Sequence, residues 1–180
     1  MSTLRSDASP PVRERVVRVH WTYHDLMPAN RNSRRWEVRR DGSSWRDSAS
    51  QQCQEDLDGL LNLTLRFAQQ MLEKRGEFYP FDAAMSTDGE ARLLGGDPGR
   101  DASTAALPIL LDGLRHDRAD FRAVAICSYV RLPDSDAVRV NLEHQEGQAV
   151  HFVVPYNKQL SRGVEYGEPR RGTPFRQVWT

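Results

Sequence analysis

The sequence predicts an α+β domain, in which an antiparallel sheet of about five strands packs with two helices in the order α-β-β-α-β-β-β, after an N-terminal β-hairpin arm. Three observations support this prediction. A long amphipathic pattern of helical period runs from about Ser50 to Arg75. Short strand-like runs flank the turn signals Asp88-Gly89 and Glu146-Gly147. The run from Phe121 to Leu132 is apolar on both faces, as in a central strand.

The first helix is the clearest element. Ser48 or Ser50 can cap its start, and Gly76 marks its end. Its apolar positions span an arc of about 200°, which is wider than one sheet face requires. We therefore expect a second surface to cover the edge of this arc, either the N-terminal arm or another subunit. The residues of that edge are Leu60, Leu63 and Phe67.

The remaining elements follow in order. Residues 78–86 and 90–94 are expected to form a hairpin, and a helix is expected over 104–116 with Pro108 in its first turn. A second hairpin is predicted from 137–145 and 149–155. The expected organisation is a disordered leader and hairpin arm at 1–46, a core domain at 47–156, and an extended tail at 157–180.

The N-terminal arm combines aromatic residues with arginine. Residues 1–46 contain ten arginines and five acidic residues, whereas residues 47–116 contain six basic and twelve acidic residues. Trp21, Tyr23 and Trp36 lie among these arginines. Such a pattern is compatible with a cover or dimer contact for the long helix, with a protein partner, and with single-stranded nucleic acid. We favour the first, because the acidic middle of the chain is always nearby.

Composition narrows the function further. The formal net charge is zero, so no global field attracts nucleic acid or an acidic membrane. Cys53 and Cys127 stand in no CxxC or Cys/His spacing, so we expect no metal and no other cofactor. Because the sequence contains neither a secretory signal nor an apolar run of membrane-spanning length, we expect a cytoplasmic protein.

Two resemblances bear on the fold. The order α-β-β-α-β-β-β resembles roadblock and other profilin-like domains, which implies helices packed on an antiparallel sheet and dimerisation. The segments Gly76–Phe81 (GEFYPF), Asp88–Glu90 (DGE) and Ala137–His144 (AVRVNLEH) are similar to a family of uncharacterised bacterial domains. This similarity covers about residues 50–167 and implies no particular activity.

The last hairpin contains two histidines. A two-residue turn at Glu146-Gly147 would place His144 and His151 on one face as diagonal neighbours. They could then form a metal pair or a base with its orienting group, or they could be half-buried histidines satisfied by nearby groups. Together with Tyr129 they would line a possible pocket between sheet and helix.

No nucleophile elbow, phosphate-binding loop or zinc-protease motif occurs in the sequence. We therefore expect a non-catalytic, homodimeric interaction or scaffold module. The alternative is a sensor domain that binds a small molecule between sheet and helix.

Overall fold

The computed structural model describes residues 21–22, 45–94, 106–159 and 163–180. Two α-helices and an antiparallel sheet make up this part of the chain, which confirms the predicted α+β class. The helices are α1 (Gln51–Arg75) and α2 (Ala106–His116). The strands are β1 (Trp21–Thr22), β2 (Phe81–Ser86), β3 (Ala91–Leu94), β4 (Phe121–Arg131), β5 (Asp136–His144), β6 (Ala149–Gln159), β7 (Gly163–Tyr166) and β8 (Arg170–Arg171).

Neighbouring strands pair in the order β1-β3-β2-β4-β5-β6-β7, and β8 pairs with β6. The sheet therefore has more strands than the five expected. The additional strands come from the two ends of the chain. Trp21 pairs with Leu93, and residues 163–171, which were expected to be part of an extended tail, run along β6.

The sequence determines both ends of α1 in the expected way. The Ser50 hydroxyl accepts a hydrogen bond from the Cys53 amide at 3.1 Å and caps the first turn. Gly76 ends the helix with a left-handed φ of 75°, and its amide donates to the Leu72 carbonyl. Pro108 lies in the first turn of α2, where its missing N–H breaks no helical hydrogen bond.

The two faces of the sheet carry separate cores. α1 covers one face, and its apolar residues pack with every second residue of the strands, among them Val140 and Leu142. On the other face, α2 contributes Leu111 and Leu114 to a smaller core. This core also includes Val178 from the C-terminal segment, by which we mean residues 172–180. The chain end is thus part of the folded core rather than a free tail.

The wide apolar arc of α1 is covered within the chain. Leu63 at one edge and Leu65 at the other are 3% and 2% exposed, and Leu60 is fully buried. Phe67 is partly buried and packs edge-on against Phe81. Leu60 and Leu63, for which a cover by the N-terminal arm or another subunit was expected, are therefore buried in the single chain.

The predicted register of the last hairpin is wrong by one residue. Leu142 pairs with Val150, and Asn141 pairs with His151. The cause is the turn, in which the Gly147 amide donates to the His144 carbonyl and Gly147 adopts a φ of 101°. Such a turn inserts one more residue than a two-residue loop. Because side chains alternate between faces, the shift moves His151 to the face opposite His144.

The structure describes little of the predicted arm. Of its proposed contact residues, Tyr23 and Trp36 lie outside the described residues, and only the backbone of Trp21 is described. Trp45, which was assigned to the arm, lies in a short 3-10 helix at Trp45–Asp47 and packs against the core under α1. No helix in the described ranges is both long and apolar enough to span a bilayer.

Candidate functional site

The polar residues at the start of α1 meet the turn between β5 and β6. We call this group the helix-start cluster. Its members are Ser50, Cys53, Asp56, Arg122, His144 and Glu146. Three belong to the first turns of α1 or its cap, one to β4, and two to the end of β5 and the turn after it.

A buried ion pair holds the inner side of the cluster. Asp56 is 4% exposed, and both of its carboxylate oxygens accept hydrogen bonds from the Arg122 guanidinium, at 2.8 and 2.9 Å. Arg122 also donates to the Thr87 carbonyl in the turn between β2 and β3. This bidentate contact fixes the position of the Asp56 carboxylate.

The carboxylate in turn orients the imidazole of His144. The side chain is 1% exposed, and its Nε2 lies 3.3 Å from Asp56 Oδ2. A carboxylate paired with arginine only accepts hydrogen bonds, so Nε2 carries the proton. The other ring nitrogen, Nδ1, accepts a hydrogen bond from the Glu146 amide at 3.2 Å. Both contacts describe the same neutral tautomer, in which Nδ1 presents a lone pair.

The Glu146 carboxylate forms the outer side of the cluster. Glu146 Oε1 lies 4.0 Å from His144 Nδ1, and the Glu146 side chain is 40% exposed. The Ser50 hydroxyl donates to the same carboxylate oxygen at 2.9 Å. The Glu146 carboxylate is therefore accessible to solvent, whereas the His144 imidazole is buried.

Cys53 completes the group. One ligand atom from each of Cys53, His144 and Glu146 lies within 4.8 Å of the other two. The Cys53 side chain is fully buried. Burial, together with the nearby carboxylates of Glu146 and Asp56, raises the pKa of its thiol to about 11.

Thiol, imidazole and carboxylate are also the components of a cysteine-hydrolase triad. In such enzymes the thiol is exposed and its pKa is depressed. Here the thiol is buried and its pKa is raised, so Cys53 is protonated at neutral pH. This arrangement favours binding over nucleophilic catalysis.

The residues predicted to form a pocket are not brought together. His144 lies under α1, whereas His151 lies on the opposite face, where its Nδ1 is 3.1 Å from the Thr173 carbonyl and its ring contacts Phe175. Tyr129 is 42% exposed near the far end of β4 and donates to Asp136. Of the three, only His144 belongs to the helix-start cluster.

Sequence reasoning missed the other members of the cluster. No site role was assigned to Asp56 from the sequence, and Cys53 stood in no ligand spacing. One signal was available, since Cys53 and Asp56 stand one turn apart at the start of a helix. Their partners follow 66 to 93 residues later (Asp56 to Arg122, and Cys53 to Glu146), a separation that no local spacing rule covers.

Comparison of the chain with protein-family models, with curated proteins and with solved structures found no match.

Proposed function

We propose that this chain is a non-catalytic binding module and that it takes a small cationic ligand at the helix-start cluster. One observation carries the proposal. A buried imidazole is held by Asp56 at Nε2, and its Nδ1, which accepts from the Glu146 amide, lies 4.0 Å from the solvent-reachable Glu146 carboxylate.

The charges of the cluster favour a cation. Arg122 compensates Asp56 directly. Glu146 faces a neutral imidazole and a hydroxyl, so the cluster carries one negative charge in excess. A cation at this position would gain attraction to Glu146 and a contact with the His144 lone pair.

The proposal corresponds to the sensor alternative of the sequence analysis, with a different set of residues. A ligand here would touch both the first turn of α1 and the turn after β5. Glu146 supplies the backbone amide that donates to His144 Nδ1. Occupation of the site would therefore displace this turn, which is a local change that a partner could detect.

A thermal-shift comparison tests the proposal. The wild type and Glu146→Gln are melted with divalent metal ions and with small organic cations, each at several concentrations. We expect at least one cation to raise the melting temperature of the wild type and to have a smaller effect on Glu146→Gln. Glu77→Gln is the matched control, because Glu77 is an exposed glutamate beyond the other end of α1. The proposal fails if no cation stabilises the wild type, or if both variants respond equally.

Self-association is a second candidate function, and one observation favours a particular surface for it. Ile109 on α2 and Phe175 in the C-terminal segment are 51% and 38% exposed, and their neighbours pack on the second face of the sheet. A homodimer would use this face rather than Leu60 and Leu63. Light scattering at micromolar concentration should then give twice the chain mass of 20.6 kDa. The double variant Ile109→Ser/Phe175→Ser should give the single mass, and a monomeric wild type would contradict this candidate.

A further inference from the structure

We infer that the cation is a transition-metal ion of the zinc type, ligated by Cys53 Sγ, His144 Nδ1 and a Glu146 carboxylate oxygen. This inference rests on the proposed function, since it names the ligand of the same site. It also departs from the sequence-based expectation of no metal, because the three residues meet only in the folded chain.

The donor set fits this class of metal. Thiolate, imidazole and carboxylate are all ligands of zinc. Calcium and magnesium prefer six or more oxygen ligands, which this cluster does not supply. Three protein ligands leave a fourth tetrahedral position for a water molecule or another ligand.

The distances are close to those of a formed site. Zinc with bonds of about 2.0–2.3 Å places its ligand atoms roughly 3.3–3.6 Å apart. The present atoms lie within 4.8 Å of one another, and the gap between His144 Nδ1 and Glu146 Oε1 is already 4.0 Å. Glu146 is the exposed member of the three, so its carboxylate can move toward the other two ligand atoms.

The neighbours of His144 provide the second argument. Metal-bound histidines generally donate their other ring N–H to a carboxylate or carbonyl, which fixes the tautomer and raises the basicity of the ligating nitrogen. Asp56 already accepts from His144 Nε2 and is itself held by Arg122. His144 Nδ1 therefore has the tautomer of a metal ligand before any ion arrives.

Binding requires two local changes. The Cys53 thiol loses its proton to solvent as the sulfur–metal bond forms. The Glu146 amide gives up its hydrogen bond to Nδ1, because the ion takes the same lone pair. The turn between β5 and β6 is thus expected to move when the metal binds.

Cobalt(II) titration of the intact, reduced protein tests the inference. Cobalt occupies zinc sites, and a cobalt–thiolate bond gives a charge-transfer absorption in the near ultraviolet. We expect one equivalent of cobalt, this absorption, and its displacement by zinc. Cys53→Ser should abolish the absorption. Cys127→Ser should retain it, because Cys127 is buried in β4 and belongs to no described group of potential metal ligands.

Glu146→Gln keeps the test decisive if Cys53→Ser does not fold. Its exposed side chain tolerates substitution, and we expect cobalt affinity to fall at least about 10-fold while Glu77→Gln is unchanged. Absence of the absorption in the wild type would overturn the inference, as would equal absorption in Cys53→Ser and Cys127→Ser. If organic cations still stabilise the protein through Glu146, the proposed function stands without the metal. If no cation does so, both fail.

Discussion

Asp56 and Glu143 are carboxylates buried on opposite faces of the sheet, and different groups compensate their negative charges. Under α1, Asp56 is paired with the Arg122 guanidinium and the His144 imidazole. On the other face, Glu143 is fully buried and accepts from the backbone amides of Gln177 and Val178 at 2.8 and 3.0 Å. Glu143 and His144 are thus adjacent in β5, but their side chains lie on opposite faces of the sheet and have different kinds of partner.

This difference distinguishes Glu143, which makes a structural contact, from Asp56, which belongs to a candidate binding site. Glu143 holds the C-terminal segment in place with its own oxygens, and Asn141 and Trp179 donate to them as well. Its capacity to accept hydrogen bonds is therefore used within the fold. Asp56 is equally occupied, but the histidine that it orients has its Nδ1 bound to a backbone amide of the turn and 4.0 Å from the Glu146 carboxylate. Of these two sites, the one on the α1 face combines a fixed nitrogen ligand atom with a solvent-reachable carboxylate.

The largest expected effect is the loss of the buried ion pair. Asp56→Ala leaves the Arg122 guanidinium without its partner in a largely buried position, and should lower the free energy of unfolding by about 3–5 kcal/mol. Urea unfolding followed by circular dichroism measures this. The double variant Asp56→Leu/Arg122→Met should lose less than Asp56→Ala, because it leaves no charge unpaired. A loss below about 1 kcal/mol for Asp56→Ala would mean that the pair is not buried as described.

A smaller effect is expected on the other face. Glu143→Gln replaces one acceptor oxygen by an amide group, so part of the C-terminal segment loses its partner. We expect a cost of about 1–3 kcal/mol and faster hydrogen exchange at the amides of residues 177–179. Metal affinity should not change in this variant, whereas Asp56→Asn should weaken it about 10–100-fold. Equal effects of the two variants on metal binding would remove the distinction between the faces.

The next prediction concerns alkaline pH. Burial raises the pKa of the Cys53 thiol from 9.0 to about 11, and raises the pKa of the Tyr156 hydroxyl from 10.0 to about 12. Because the folded state retains these protons more tightly, stability should be complete below about pH 9 and should decrease as the pH rises toward 11–12. Chemical unfolding at several pH values measures the profile. Cys53→Ala should reduce the loss of stability at the lower end of this pH range. A loss of stability that begins near neutral pH would contradict the raised pKa values of Cys53 and Tyr156.

The smallest effect is expected from the partly exposed ion pair between Arg46 and Asp58. Arg46 and Asp58 form an ion pair at 2.6 Å, but their side chains are 29% and 43% exposed. Asp58→Asn should therefore change the free energy of unfolding by less than about 1 kcal/mol, although the contact is as short as the buried one. A cost similar to that of Asp56→Ala would show that distance rather than burial determines the energy.

The sequence predicts the fold to the extent that local signals determine it. Helix α1 begins and ends where Ser50 and Gly76 indicate, and β4 occupies nearly the whole apolar run from Phe121. The register of the last hairpin was missed because Glu146-Gly147 fits two turn types that differ by one residue, and only the backbone hydrogen bonds distinguish them. The folded C-terminal segment was missed because its anchor, Glu143, is distant in sequence and resembles an ordinary strand residue.

The candidate site was beyond sequence reasoning for a related reason. His144 was identified, but it was paired with His151 through the assumed register. Its actual neighbours come from α1 and β4, and the contacts depend on how α1 crosses the sheet. Tertiary packing determines such a constellation, and the one-turn spacing of Cys53 and Asp56 was the one local signal for it.

X-ray absorption of the zinc-loaded protein tests the central claim most directly, because it reports the atoms around the metal. We expect one sulfur at about 2.3 Å and two or three nitrogen or oxygen atoms at about 2.0–2.2 Å. The sulfur contribution should disappear in Cys53→Ser and remain in Cys127→Ser. A shell of nitrogen and oxygen alone in the wild type, or a preparation that retains no zinc, would contradict the assignment of the helix-start cluster as a metal site.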